Sequence, residues 1–82
     1  MAAKVIRLEA IWSMLEECAP GYETRQTVHF HVVSYKDKTF STLPLGKHGA
    51  RRNPEIEAGY ARALARQLEI VDCAKKQLPQ IY

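Results

Sequence analysis

Thr27-Val-His-Phe-His-Val-Val-Ser-Tyr35, Lys36-Asp-Lys38 and Thr39-Phe-Ser-Thr-Leu-Pro44 together form the stretch whose reading decides the fold. β-Branched and aromatic residues stand on both sides of a short polar turn, which predicts a β-hairpin, and Pro44 ends its second arm. Alternation along the first arm puts Val28, Phe30 and Val32 on one face and His29, His31, Val33 and Tyr35 on the other. The first face is expected to be covered. The second presents two imidazoles one pleat apart, beside a basic loop.

Upstream of the hairpin, Val5, Leu8, Ile11, Trp12, Leu15 and Cys18 recur at intervals of three and four. This predicts an amphipathic helix from about Lys4 to Cys18 with one buried stripe, stopped by Pro20-Gly21. Trp12, central in the stripe, is expected to anchor the core. Tyr22 to Gln26 reads as a short polar strand suited to a sheet edge. Downstream, Pro44 to Asn53 carries two glycines, His48, Lys47, Arg51 and Arg52, and reads as a functional loop. Asn53 looks like an N-cap and Pro54 a first helical residue, opening a helix striped by Ile56, Tyr60, Ala61, Leu64, Ala65 and Leu68. Past Ile70 two continuations fit, one unbroken helix or a break near Glu69-Ile70 followed by a short third helix. Leu78 to Tyr82 reads as a tail.

The expected order is therefore helix, three strands, helix. One helix cannot roof three strands, so both are expected on the Val28/Phe30/Val32 face. The fold class is α+β, an α-β-β-β-α sandwich with a three-stranded antiparallel sheet, the architecture of double-stranded-RNA-binding domains.

With 82 residues the chain has room for one domain, 1–82, and no second. No apolar run reaches the ~20 residues of a membrane span, and Met1 to Ile6 lacks the apolar core of a secretory signal, so the cytoplasm is the expected compartment. Cys18 and Cys73 show no metal-knuckle spacing, and two reduced, half-buried thiols are expected. The net charge is +3, and its excess is concentrated. Between Tyr35 and Pro54, Lys36, Lys38, Lys47, Arg51 and Arg52 face only Asp37, a pattern suited to a polyanionic partner.

Several segments resemble the HicA-type toxin family, bacterial mRNA interferases paired with HicB-type antitoxins. Gly59-Tyr-Ala-Arg-Ala-Leu-Ala-Arg-Gln-Leu-Glu-Ile70 is similar to the family's Gly-Thr-Leu-Arg-Ser-Ile-Leu-Lys-Gln-Leu-Gly-Ile. The first helix ending near a glycine, the arginine-bearing first strand and Ser41-Thr-Leu-Pro44 follow the family's layout, so the likeness runs from about Ile11 to Ala74. The family's Gly-Ser-His motif places its histidine on His29, with Thr27-Val28 in place of Gly-Ser. Leu45 stands where the family has a histidine after the proline, and Glu69 where it has a glycine.

The resemblance implies a metal-independent endoribonuclease with His29 in proton transfer and a HicB-type antitoxin as protein partner. Metal-free RNA cleavage needs a base for the 2′-hydroxyl proton, an acid for the 5′-oxygen, and cations on the phosphate. His31 or His48 is the expected second proton-transfer group, and Lys47, Arg51 and Arg52 the phosphate ligands. Lys36 and Lys38 extend the cationic surface, and Tyr35 is expected to stack a base. No cofactor is expected. Zinc is disfavoured, because the histidines lack a partner cysteine or carboxylate at a telling spacing. Ser13 and Cys18 sit in no nucleophile elbow. The alternative from another class is a noncatalytic RNA- or DNA-binding module. A third reading is a domain whose open sheet face meets a protein.

Overall fold

Val5–Arg7 forms a short strand, β1, that runs straight into helix α1, Leu8–Cys18. Three strands follow, Glu23–Gln26 (β2), Phe30–Tyr35 (β3) and Lys38–Pro44 (β4). Glu55–Glu57 (β5) leads into α2, Ala58–Gln67, then α3, Val71–Gln77, and a closing 3₁₀ turn, Pro79–Ile81. These elements are those of a computed structural model that describes residues 4–45 and 54–82.

The result is an α+β fold with a three-stranded antiparallel sheet ordered β2-β3-β4, as expected, and a two-stranded ribbon of β1 and β5 that was not. Residues 4–7 and 54–57 carry a helical apolar period, yet each begins as a strand. Ile6 faces Ile56 across the ribbon, and both are buried. The Leu8 N–H donates to the Pro54 carbonyl and the Ala58 N–H to the Lys4 carbonyl, so each helix start is satisfied by the other strand's backbone. A single apolar residue between exposed neighbours suits both periods, and pairing with a distant segment decides between them. The second helix accordingly starts at Ala58 with Glu57 in the N-cap position, and Asn53, which lies outside the described residues, is not its cap.

Both helices lie on one face of the sheet, but on the face opposite to that expected. Val33, at 0% exposure, and Leu43 join the core with Ile11, Leu15, Leu64 and Leu68, and Tyr35 and Phe40 pack against it. The alternation along β3 is as expected, and two local features accompany the change of face. Thr27 to His29 is a turn rather than strand, and in β4 the pairs His31–Leu43 and Val33–Phe40 leave Ser41 and Thr42 opposite Val32. This is a β-bulge, which moves the inward-facing residues of β4 from a spacing of two to one of three. Phe30 therefore stays 37% exposed and Val28 84% exposed.

Gly21, with φ of +87°, ends α1 as Pro20-Gly21 predicts. The open question at Glu69-Ile70 resolves as a break. Glu69 takes φ of 59°, its N–H donates to the Arg66 carbonyl at 3.2 Å, and the Ile70 N–H donates to Ala65 at 2.9 Å. These two bonds form a Schellman motif, with Glu69 in the position that glycine usually holds. Beyond it, Leu78 and Ile81 are buried, so the segment read as a tail is docked. The expectation of reduced thiols is also corrected: Cys18 and Cys73 form a disulfide, tying the end of α1 to α3. The cysteines lie 55 residues apart, so no local spacing signals the pair. No helix among the described residues is long and apolar enough to cross a membrane.

Candidate functional site

His29 stands at one end of the sheet, in the turn between β2 and β3. The Thr27 N–H donates to the Phe30 carbonyl at 2.8 Å, and the Phe30 N–H donates to the Thr27 hydroxyl at 3.1 Å. Thr27 thus closes the turn with both backbone and side chain, which leaves Val28 and His29 projecting into solvent. The Phe30 ring lies edge-on to the His29 imidazole, with centroids 6.2 Å apart.

His31 does not accompany it. Its side lies toward the helices, its ring meets the Trp12 indole edge-on at 5.2 Å, and it is half-buried. Burial holds its pKa below the ordinary imidazole value, since an apolar surrounding penalises the charged ring. Trp12 in turn stacks on Tyr22, with centroids 6.3 Å apart. Burial and the nearby Glu16 carboxylate raise the Tyr22 phenol above its usual value. The expected pair of solvent-facing imidazoles on one strand face is therefore corrected: His29 is outside the strand, and His31 is half-buried against Trp12.

Phe30 pairs with Pro44, so the chain leaves the sheet toward residues 46–53 from the end that carries His29. His48, Lys47, Arg51 and Arg52 belong to that segment and lie outside the described residues. Pro54, at its far side, is held by Leu8.

Tyr35, Lys36 and Lys38 lie at the opposite end of the hairpin, roughly 17 Å along the strand at ~3.3 Å per residue. Lys36 occupies the first central position of a two-residue turn with φ of 57°, as primed hairpin turns require. Its ammonium sits 5.2 Å from the centre of the Tyr35 ring. Tyr35 packs against the core, so the expectation that it shares an open face with His29 is corrected. Lys38 forms ion pairs with Asp37 at 3.1 Å and Glu69 at 3.7 Å. These hydrogen bonds and charges, Asp37 first, raise the Lys38 pKa, and the Lys38 hydrogen bond is the main cause lowering that of Asp37.

Between this turn and the α2–α3 junction lies an open groove of about 680 Å³, walled by Lys36, Lys38, Arg66, Glu69 and the Cys18–Cys73 bridge. Arg66 is not among the site residues expected from the sequence. Its only signal is the four-residue spacing from Arg62, which sets both guanidiniums on one side of α2.

The described residues thus offer two separate surfaces, an exposed imidazole on a tight turn and, at the other end of the sheet, a groove lined by Lys36, Lys38 and Arg66 together with Glu69 and Asp72. The open sheet face between them carries Glu23, Arg25, Phe30 and the facing hydroxyls of Ser34 and Thr39, 3.5 Å apart. No group of three histidine, cysteine or acidic residues among the described residues could hold a metal ion. No family model, curated protein or solved structure matches the chain.

Proposed function

We propose that this chain is an RNA-binding protein of the HicA toxin type, with a double-stranded-RNA-binding-domain-like sheet and metal-independent endoribonuclease activity. The observation that carries this reading is the position of His29: exposed on a turn, beside the Phe30–Pro44 pair from which the chain departs toward Lys47, Arg51 and Arg52. A histidine so exposed lies within reach of a bound substrate.

In this mechanism one imidazole removes the RNA 2′-hydroxyl proton, the 2′-oxygen attacks phosphorus, and the 5′-oxygen leaves with a proton from a second group. The products are a 2′,3′-cyclic phosphate and a free 5′-hydroxyl. His29 is one proton-transfer group. With His31 packed on Trp12, His48 becomes the preferred second group. Lys47, Arg51 and Arg52 bind the phosphate as charge builds on it, and no metal or cofactor is required. A HicB-type antitoxin is the proposed protein partner. The proposed compartment is the cytoplasm, where mRNA is found. A Cys18–Cys73 bridge there is open to reduction, and alkylation of freshly lysed cells measures how much of it persists.

A noncatalytic RNA- or DNA-binding module is the second reading, favoured by Thr27-Val28. The Thr27 hydroxyl is committed to its own turn, and Val28 offers no hydrogen bond. Induction of the intact protein and of His29→Ala in bacteria, with growth and bulk mRNA followed together, separates the two readings. Growth arrest with mRNA loss for the intact protein alone supports cleavage. Unimpaired growth with both, alongside equal RNA affinity, would leave only the binding module.

A further inference from the structure

We propose that α2, α3 and the closing turn form a second RNA-backbone surface in which Lys75, Arg62 and Arg66 flank the exposed Tyr82 and the groove beside Arg66 leads on to Lys36. The inference rests on the RNA-binding reading above but uses none of the residues assigned to cleavage.

Five observations converge on it. Tyr82 is 39% exposed, and the Lys75 ammonium sits 6.0 Å from the centre of its ring. Arg62 donates through Nη1 to the Ile81 carbonyl at 2.8 Å, which holds its guanidinium at the residue before Tyr82 while leaving its other donors uncommitted to that bond. Burial raises the Tyr82 hydroxyl pKa, and Arg62 and Arg66 pull it the other way, so both cations lie within electrostatic reach of the phenol. Arg66 also walls the groove that holds Lys36, joining the tyrosine to the hairpin turn in one cationic band. Lys4, whose ammonium reaches the Gln80 carbonyl at 3.4 Å, continues the band on the other side.

The acids of this region are partly engaged. Glu69 and Asp37 both pair with Lys38, so Lys36 and Arg66 remain to face an anion, with Asp72 the further acid in the groove wall. Cations bracketing an exposed aromatic ring suit single-stranded RNA, whose phosphates repeat along the chain and whose bases stack on a π-face. An acidic protein segment would use the cations but would gain less from the ring.

The test measures binding of a 2′-O-methyl oligouridine 12-mer, which cannot be cleaved through its 2′-oxygen, across a range of salt concentrations. Reversal of two charges in Arg66→Glu with Lys75→Glu should weaken binding and reduce the slope of log affinity against log salt by about 1.4, at ~0.7 per lost phosphate contact. Tyr82→Ala should cost about tenfold in affinity through lost stacking, with little change in slope. The charge-conserving pair Arg66→Lys with Lys75→Arg should restore the slope. Circular dichroism melts of each variant identify any loss caused by unfolding.

If the charge-reversed protein melts normally and binds as tightly as the intact chain, while Arg51→Ala with Arg52→Ala weakens binding, the second surface is disproved and the RNA-binding reading stands. If the intact protein does not bind the oligonucleotide, both fail together. A polyglutamate peptide of equal charge that competes as well as the RNA, with Tyr82→Ala neutral, would reassign the surface to an acidic protein and overturn the proposal.

Discussion

Two residues, one by its backbone conformation and one by its burial, sit where their chemistry does not favour them, and each gives a measurable effect. Glu69 occupies a left-handed position at φ of 59°, where a Cβ costs ~1–2 kcal/mol. Glycine removes that strain but gives back part of the gain as unfolded-chain entropy, and the Lys38 ion pair lost with the carboxylate is exposed and weak. Glu69→Gly is expected to stabilise the fold by about 0.5 kcal/mol, or ~2–4 °C in Tm, whereas Glu69→Val should lower Tm. A thermal melt of the two variants checks the sign. His31 is the second case. Its folded pKa is depressed by burial, so the unfolded chain binds its proton more readily. Stability from this group is fully present above the unfolded value of ~6.5 and falls as pH drops through it toward the lower folded value. His31→Phe should flatten the change in Tm between pH 7.5 and pH 5 (values chosen on the order of one unit either side of the unfolded pKa), and NMR titration of the ring should place its midpoint below that of an unfolded peptide.

At the scale of elements, α1, α2 and the β3–β4 hairpin were legible because each carries a period spanning several residues, and the polar β2 was legible as an edge strand beside that hairpin. The face of the sheet was not. Val28, Phe30, Val32 and Val33 supply apolar side chains to both parities, so counting by two cannot rank them. The informative signal was in β4, where inward-facing Phe40 and Leu43 stand three apart, a spacing that requires a bulge. His31 followed the sheet to the wrong face for the same reason, while the exposure of His29 was anticipated although its turn was not. Phe30→Ala should accordingly cost far less than the ~3–5 kcal/mol of a buried aromatic. The β1–β5 ribbon escaped because three-residue strands have almost no period of their own. Ile56, buried opposite Ile6, should cost ~3 kcal/mol when changed to alanine, measured by urea denaturation.

At the scale of the molecule, the chain closes on itself in two ways that no local pattern reveals. The ribbon brings β1 against the strand that follows the basic segment, and the Cys18–Cys73 bridge joins the end of α1 to α3. Closing a loop of 55 residues should contribute about 4 kcal/mol by the chain-entropy account, so reduction, or Cys73→Ser, should lower stability by that order. Alkylation with mass measurement should find no reactive thiol in the denatured, unreduced protein and two after reduction, and two before reduction would remove the bridge from the account. The described residues extend over about 30 × 29 × 17 Å, the dimensions of one layer of helices on one sheet, and on the opposite sheet face Glu23, Arg25, Phe30 and Thr39 stay exposed while Val32 is buried.

The bridge and the ribbon also decide what a protease would achieve. Lys47, Arg51 and Arg52 are tryptic sites, and every peptide bond between them lies inside the segment that both ties enclose. A cut there would yield an N-terminal piece ending near the sheet and a C-terminal piece opening with β5, still joined through sulfur and through main-chain pairing. Gel electrophoresis should show one band without reductant and two with it. Fragments prepared separately should reassemble through Ile6 and Ile56, giving a split version of the protein.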